Sequence, residues 1–201
     1  MKNNSKYIWT GFIFGVVLIF IFVGNISNAQ NLENYVVAGE RLDGIIIGKS
    51  TADSVIANYG EDYKLINYSG YSYQMIYKKL GLGFYYCQND PNKEIFSVEI
   101  KSPAKAVTSK GIRLGKSTFK DVFRLYGERE EESVGFEYVG ISFNYKEENT
   151  EEDLEDIGNP DKASQKEVTE KKRNLLKKVV KRIDLFEMSE LRQCDVNFPK
   201  N

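Results

Sequence analysis

Two stretches of the chain carry the same spacing of apolar positions, and both predict a short amphipathic helix. The apolar positions are Ala52, Val55, Ile56 and Tyr59 in one stretch and Phe119, Val122, Phe123 and Tyr126 in the other. Intervals of three and four residues place such side chains on one helical face. Thr51 and Thr118 are suitable N-caps, and Gly60 and Gly127 are suited to end the helices. Helices this short are marginal alone, so each is expected to lie on a sheet.

Alternating apolar and polar residues predict three strands after each helix. The predicted strands are 71–78, Leu82–Cys87 and Ile95–Lys101 after the first helix, and 134–138, 141–145 and 179–187 after the second. Turn residues such as Asn89-Asp90-Pro91-Asn92 separate neighbouring strands, which favours antiparallel pairing. The predicted fold class is therefore α+β, with two units that each pack a short helix on a three-stranded antiparallel meander.

The two helices belong to an internal repeat. Residues 44–61 (GIIIGKSTADSVIANYGE) and 111–128 (GIRLGKSTFKDVFRLYGE) are identical at ten of 18 positions without a gap. A match this high at a fixed offset indicates duplication. The predicted organisation is a first repeat over 40–103, a second repeat over 107–188 and a C-terminal tail over 189–201.

Both copies contain Gly-Lys-Ser-Thr, but the spacing argues against a phosphate-binding loop. Such a loop has four residues between its first glycine and the Gly-Lys pair, whereas three separate Gly44 from Gly48. In the first copy these three are isoleucines, which are typical of a strand. Gly48 and Gly115 are predicted to make a tight turn between a short strand and the helix.

The second repeat carries a charged insertion over 146–176 that the first repeat lacks. Seven acidic residues lie between Glu147 and Asp156, and a basic run follows them. The spacing from Asp156 lacks the acidic residues and the glycine of a calcium-binding loop. We therefore predict an exposed acidic loop and then a surface helix, with Ser164 as N-cap and Glu167 as its third residue.

The first 29 residues have the pattern of an export signal. Lys2 and Lys6 precede an apolar run over 7–23, and Ser27-Asn28-Ala29 offers a cleavage site before Gln30. The alternative is an uncleaved anchor, because the 17 residues of the run would span about 26 Å as a helix, close to the thickness of a bilayer core. Both interpretations predict export of residues 30–201, and the second adds membrane association through residues 7–23.

Composition removes several classes of function. The chain has 28 basic and 29 acidic residues, and loss of the signal would leave a net charge of −3, so no nucleic-acid partner is expected. The chain has no histidine, which excludes imidazole bases, Ser-His and Cys-His nucleophile pairs and histidine-ligated metals. We expect no cofactor, no metal site and no enzymatic activity.

Cys87 and Cys194 are the two cysteines of the chain. An exported chain meets an oxidising compartment, in which the two could form a disulfide. Two free thiols are the alternative. A bridge would close a span of 107 residues and fix the two repeats relative to each other.

Tyrosines are the candidate binding residues. After its first 29 residues the chain has 12 tyrosines and no tryptophan, and tyrosine combines contact area with a hydroxyl at small entropic cost. The candidates on the predicted sheet surface are Tyr63, Tyr68, Tyr71, Tyr73 and Tyr85. Packing of these rings in the core is the alternative.

The order of strand, Gly-Lys-Ser-Thr, short helix, Tyr-Gly and β-meander resembles the small outer-membrane lipoprotein A (BamE-like) family. It is also similar to the tandem-repeat fold of β-lactamase inhibitory protein. The resemblance covers about 40–103 and 107–188, and it implies a fold without catalytic residues, since neither relative is an enzyme. The chain departs from the first relative by lacking a lipidated cysteine, and from the second by having no cysteine pair within either repeat.

These features together predict an exported, non-enzymatic protein-binding module whose partner is an unknown protein of the cell envelope or the extracellular space. Its tyrosine-rich sheet surface would bind in an inhibitor-like or envelope-assembly-like manner. The alternative is a structural envelope component that an uncleaved helix over residues 7–23 holds at the membrane.

Overall fold

Three helices and eleven strands make up the parts of the chain that the computed structural model describes, which are residues 33–68, 71–129, 135–147, 165–187 and 194. The helices are α1 (Ala52–Tyr59), α2 (Phe119–Tyr126) and α3 (Gln165–Lys177). The strands are β1 (Asn34–Val37), β2 (Arg41–Leu42), β3 (Ile45–Ile46), β4 (Lys64–Tyr68), β5 (Ser72–Tyr77), β6 (Leu82–Cys87), β7 (Ile95–Lys101), β8 (Ala106–Thr108), β9 (Gly135–Tyr138), β10 (Ile141–Asn144) and β11 (Arg182–Phe186). The fold is α+β, as the sequence predicts.

Seven of the strands form one antiparallel sheet in the order β4-β5-β6-β7-β11-β10-β9. The sequence analysis predicts a separate sheet for each repeat, and this expectation is wrong. The β7 edge pairs with the β11 edge over five residues, with Val98 opposite Leu185 and Ile100 opposite Ile183. All four of these side chains are fully buried. Pairing β7 with β11 leaves neither strand with an unpaired edge at this position, and it also buries their apolar residues.

The structure also contains strands that the alternation pattern does not reveal. β4 adds a fourth strand after α1, so the predicted three-stranded meander is too short there. β1, β2, β3 and β8 form a second sheet in the order β3-β2-β1-β8, in which β1 and β8 are parallel. β8 lies where the predicted second repeat begins, and it pairs with β1. Strands of two to four residues are too short to show a recognisable period.

One face of the seven-stranded sheet carries the core. Its alternate residues are buried from strand to strand in register, including Met75, Phe84, Val98, Leu185 and Ile141. The helices α1 and α2 contact this face through aromatic rings. The Tyr59 ring lies 5.3 Å from Phe84, and the Phe123 ring lies 4.8 Å from Phe136. The small sheet adds Val36, Leu42 and Ile45 to the same core.

Each of the first two helices ends on a glycine that a tyrosine hydroxyl holds in place. Tyr77 donates to the carbonyl of Gly60 at 2.7 Å, and Tyr138 donates to the carbonyl of Gly127, also at 2.7 Å. Each hydroxyl satisfies a carbonyl at the end of a helix, where no intrahelical donor is available. The same device therefore fixes both helices to their sheet strands.

α3 is the predicted surface helix of the charged insertion. Residues 169–174 are exposed along it, while Leu175 is buried. Lys172 forms an ion pair with Glu128, which lies just after α2. The predicted N-cap Ser164 and most of the acidic loop lie outside the described residues.

The N-terminal prediction also falls outside the described residues, because these begin at Glu33. None of the helices in the described ranges is long and apolar enough to cross a membrane. The signal, the cleavage site and the alternative anchor over 7–23 stay predictions.

Gly140 tests the contact between the two sheets. It has φ +72°, its carbonyl accepts from Gly39 N–H, and a Cβ at this position would overlap the Gly39 backbone. We expect Gly140→Ala to lower the free energy of unfolding by about 2–4 kcal/mol. Gly111→Ala is the matched control, because Gly111 has φ +91° but no atom within 4 Å of the position that a Cβ would take. Equal losses in chemical denaturation would show that only the backbone conformation matters.

Candidate functional site

The sheet face opposite the helices, which we call the open face, combines aromatic and charged side chains. Strand alternation places its members between the buried core positions. They are Ile66, Tyr68, Gln74, Tyr85, Ser97, Glu99, Lys101, Ser142, Asn144, Arg182 and Asp184. Gln74, Asn144 and Arg182 on this face are buried, whereas Tyr68 is 46% exposed, so the Tyr68 end of the face is the candidate for partner contact.

Four charged side chains meet at the centre of the open face. Lys101 Nζ lies 3.1 Å from Glu99 Oε1, and Arg182 Nε lies 3.0 Å from Asp184 Oδ2. Register places Glu99 opposite Asp184 and Lys101 opposite Arg182 on the neighbouring strands β7 and β11. Each charge therefore has a like charge across the strand pair and an opposite charge along its own strand. The attraction within each ion pair, Lys101–Glu99 on β7 and Arg182–Asp184 on β11, offsets the repulsion between like charges on the two strands.

Asp184 is the centre of this network. Its Oδ2 accepts from Asn144 Nδ2 at 2.8 Å and from Ser142 Oγ at 3.2 Å, in addition to Arg182. Burial raises the pKa of Asp184 to about 6, and the nearby Glu99 carboxylate adds to the rise, while Arg182 opposes it. Because Oδ2 accepts from three protein donors, we interpret this carboxylate as part of a structural network rather than as an acid–base catalyst.

The tyrosine candidates divide into two groups. Tyr68 and Tyr71 are 46% and 50% exposed, at the end of the sheet where β4 and β5 meet. Tyr68 donates its hydroxyl to Gln74 Oε1 at 3.0 Å, and its ring lies 6.1 Å from the half-buried ring of Tyr85. Burial raises the pKa of Tyr85 above its ordinary value. We call Tyr68, Tyr71 and Tyr85 the tyrosine surface.

Tyr63 and Tyr73 do not lie with the tyrosine surface. Both are partly buried and pack against the core. The Tyr63 ring is 5.5 Å from Tyr77, and the Tyr73 ring is 5.5 Å from Tyr86. For these two residues the structure shows the core packing that the sequence analysis gives as the alternative.

A disulfide joins Cys87 to Cys194 in the structure, with their Cα atoms 5.3 Å apart. Cys87 is opposite Ser72 in register, and Ser72 is opposite Tyr68. The bond therefore attaches Cys194 to the same end of the sheet as the tyrosine surface. Of the two alternatives for the cysteines, the structure has the bridged one.

The two Gly-Lys-Ser-Thr segments have no backbone donor to offer to a phosphate. In the first segment Gly48 N–H donates to Ile95 O, Lys49 and Ser50 to Ile46 O, Thr51 to Ser54 Oγ, and Ala52 to Lys93 O. In the second, Gly115 donates to Val180 O, Lys116 and Ser117 to Arg113 O, Thr118 to Asp121 Oδ2, and Phe119 to Lys178 O. A phosphate loop directs these groups at its ligand instead. Both segments are structural turns that start a helix.

Sequence reasoning missed the central charge network, although the chain carried a signal for it. Ser97, Glu99 and Lys101 alternate with buried residues along β7, and Arg182 and Asp184 do so along β11. What the sequence does not show is that these two strands are neighbours. In the described ranges, no group of three Asp, Glu or Cys side chains is placed to hold a metal ion.

No protein-family model, curated protein or solved structure matches this chain. The resemblance to the lipoprotein family and to the inhibitor therefore rests on the sequence motifs alone.

Asp184→Asn tests the charge network through the pH dependence of stability. A folded pKa of about 6 is above the unfolded value of 3.8, so the contribution of Asp184 is complete below pH 3.8 and is lost as the pH rises through 6. Between pH 4 and 7 the free energy of unfolding of the wild type should fall by about 1–3 kcal/mol relative to that of the Asn variant. Denaturant titrations at several pH values measure this difference. Asp53→Asn, at an exposed position on α1, is the control; a difference that does not change with pH would contradict the assignment.

The disulfide is tested by counting the free thiols of the full chain. Alkylation without reductant followed by mass spectrometry should label neither Cys87 nor Cys194, whereas prior reduction should label both. Because the closed span is 107 residues, Cys87→Ser with Cys194→Ser should lower the free energy of unfolding by at most about 4–5 kcal/mol. Two alkylated thiols without reductant would contradict the bond.

Proposed function

We propose that this chain is an exported, non-enzymatic protein-binding module that holds a partner protein on the tyrosine surface. The observation that carries the proposal is the exposure of Tyr68 and Tyr71, which are 46% and 50% exposed at one end of the sheet. Exposed amphipathic rings are typical of protein–protein contact sites.

The Tyr68 side chain is also held in position before any partner arrives. Its hydroxyl donates to Gln74 Oε1, and its ring lies 6.1 Å from that of Tyr85, while a backbone bond from Tyr71 N–H to Tyr68 O closes the turn between them. Side chains that are already ordered lose little conformational entropy on binding. This favours a role in binding rather than incidental exposure.

We infer further that the two halves are tandem repeats. Matching hydrogen bonds support this: Ile46 N–H donates to Ser50 Oγ and Arg113 N–H to Ser117 Oγ, both at 3.0 Å. The two helix-ending glycines accept from tyrosines in the same way. A duplicated binding fold of inhibitor-like or envelope-assembly-like kind agrees with these pairs.

The disulfide supports the exported location. Such bonds persist in oxidising compartments and are rare in the cytosol. The proposed absence of enzymatic activity is supported by the lack of histidine in the chain and by ion pairs that occupy the carboxylates of the open face.

Partner capture tests the proposal. The full chain is used as bait in a crosslinking pull-down from the envelope and secreted fractions, and recovered partners are quantified by mass spectrometry. Tyr68→Ala together with Tyr71→Ala should weaken capture by about 5- to 30-fold, as loss of one or two hot-spot residues does.

Tyr35→Ala is the matched control, because Tyr35 is 45% exposed but lies on β1 in the other sheet. It should leave capture unchanged, and far-UV circular dichroism should be the same for all variants. If the control and the double variant capture equal amounts of every partner, the tyrosine surface is not the binding site.

A further inference from the structure

The turn that precedes α2 pairs with the segment between α3 and β11. Gly115 N–H donates to Val180 O and Val180 N–H donates to Ser117 O, both at 2.9 Å. Phe119 N–H donates to Lys178 O at 3.0 Å. Two short stretches that are far apart in the chain therefore run side by side at the start of α2.

Lysines are concentrated on these paired stretches. Residues 116–120 and 177–181 contain no acidic residue and no arginine. They carry five exposed lysines, which we call the lysine cluster: Lys116, Lys120, Lys177, Lys178 and Lys181. Stretches this short span about 16 Å at most. The Debye length is about 8 Å at physiological salt, so the positive potentials of neighbouring lysines overlap.

The first half of the chain has the same backbone arrangement at the turn that precedes α1. Gly48 N–H donates to Ile95 O at 2.7 Å, and Ile95 N–H donates to Ser50 O at 2.8 Å. Ala52 N–H donates to Lys93 O at 3.0 Å. These three bonds join positions that correspond one by one to those of the second half, so the first turn is an internal reference for the second.

The two turns differ in charge. The corresponding stretches of the first half, 49–53 and 92–96, carry two lysines and two acidic residues, so their net charge is zero. The five lysines of the lysine cluster give +5. This backbone arrangement therefore forms without a concentration of lysines, which indicates that the charge serves something other than folding.

The charges of the lysine cluster are available to a ligand. Within the described residues, Lys116, Lys120, Lys177 and Lys181 form no ion pair. The fifth lysine, Lys178, lies over the Tyr145 ring, so the other four carry the argument. α3 leads into the cluster with the basic run KKRNLLKK, which has five basic residues among eight.

We propose that the lysine cluster binds an anionic polysaccharide of the envelope or the extracellular space. Runs of basic residues this dense attract linear polyanions, either heparin-like polysaccharides or nucleic acids. The choice of a polysaccharide rests on the proposed export of the chain. Lysine suits spaced carboxylate or sulfate groups, because its ammonium is a compact point charge without the two-point geometry of arginine. The site goes beyond the proposed capture of a protein on the tyrosine surface.

Binding of the full chain to heparin at several salt concentrations tests the proposal. Lys116→Gln together with Lys120→Gln should raise the Kd about tenfold or more at physiological salt. The slope of log Kd against log salt concentration should fall by about 2, since each lost contact with a linear polyanion removes roughly one released counterion. Lys177→Gln together with Lys181→Gln should have the same effect from the other stretch.

The matched control is Lys49→Gln together with Lys93→Gln. It removes the same charge from exposed positions of the first turn. Because that turn has no net charge, the Kd should change by about twofold at most and the slope should stay the same. Equal losses in the control and in both cluster variants would show that only net charge matters, and would overturn the proposal.

Two further measurements complete the test. Tighter binding of a single-stranded DNA oligonucleotide than of a heparin fragment with the same net charge would also overturn the proposal. Tyr68→Ala together with Tyr71→Ala should bind heparin like the wild type, and the lysine variants should capture protein partners like the wild type. The failure of one proposal is therefore distinguishable from the failure of the other. Circular dichroism checks that each variant is folded.

Discussion

The pairing of β7 with β11 is the contact on which the rest of the structure depends. On one side of this seam Val98, Ile100, Ile183 and Leu185 complete the core, and on the other side the charge network forms. Without the seam, each half would be a short helix on three or four strands with an exposed apolar edge. Units of about 60 residues bury a smaller fraction of their surface than larger domains do, and they are only marginally stable alone. The seam also brings acids and bases from distant parts of the chain into one face of the sheet.

The elements that the sequence pattern predicted correctly are those that depend on residues close together in the chain. α1, α2 and the strands β5 to β7 follow from spacing, caps and alternation, and the structure has them within one or two residues of the predicted bounds. β4 was missed because Lys64–Tyr68 shows no clean alternation of polar and apolar residues. The single large sheet was missed because β7 pairs with β11, a strand far away in the chain, and a local sequence pattern does not show which distant strands pair.

The same limit applies to the tyrosines. Tyr63, Tyr68, Tyr71, Tyr73 and Tyr85 are equivalent by composition, and only the positions of the helices and of β4 divide them into core and surface. The Gly-Lys-Ser-Thr segments show the opposite case. Their spacing alone argued against phosphate binding. The hydrogen bonds of residues 48–52 and 115–119 agree, since every backbone donor there is used within the turn, in the helix cap or to a neighbouring segment.

The Cys87–Cys194 bond makes residues 87–194 a covalent ring. Everything between these residues, including the seam, α2 and the charged insertion with α3, lies inside that ring. A single peptide cleavage within it would leave one covalently connected molecule instead of two fragments. An envelope or extracellular protein meets proteases that cut exposed segments. At the proposed location, one cut in the insertion would leave the two parts of the chain joined through the disulfide.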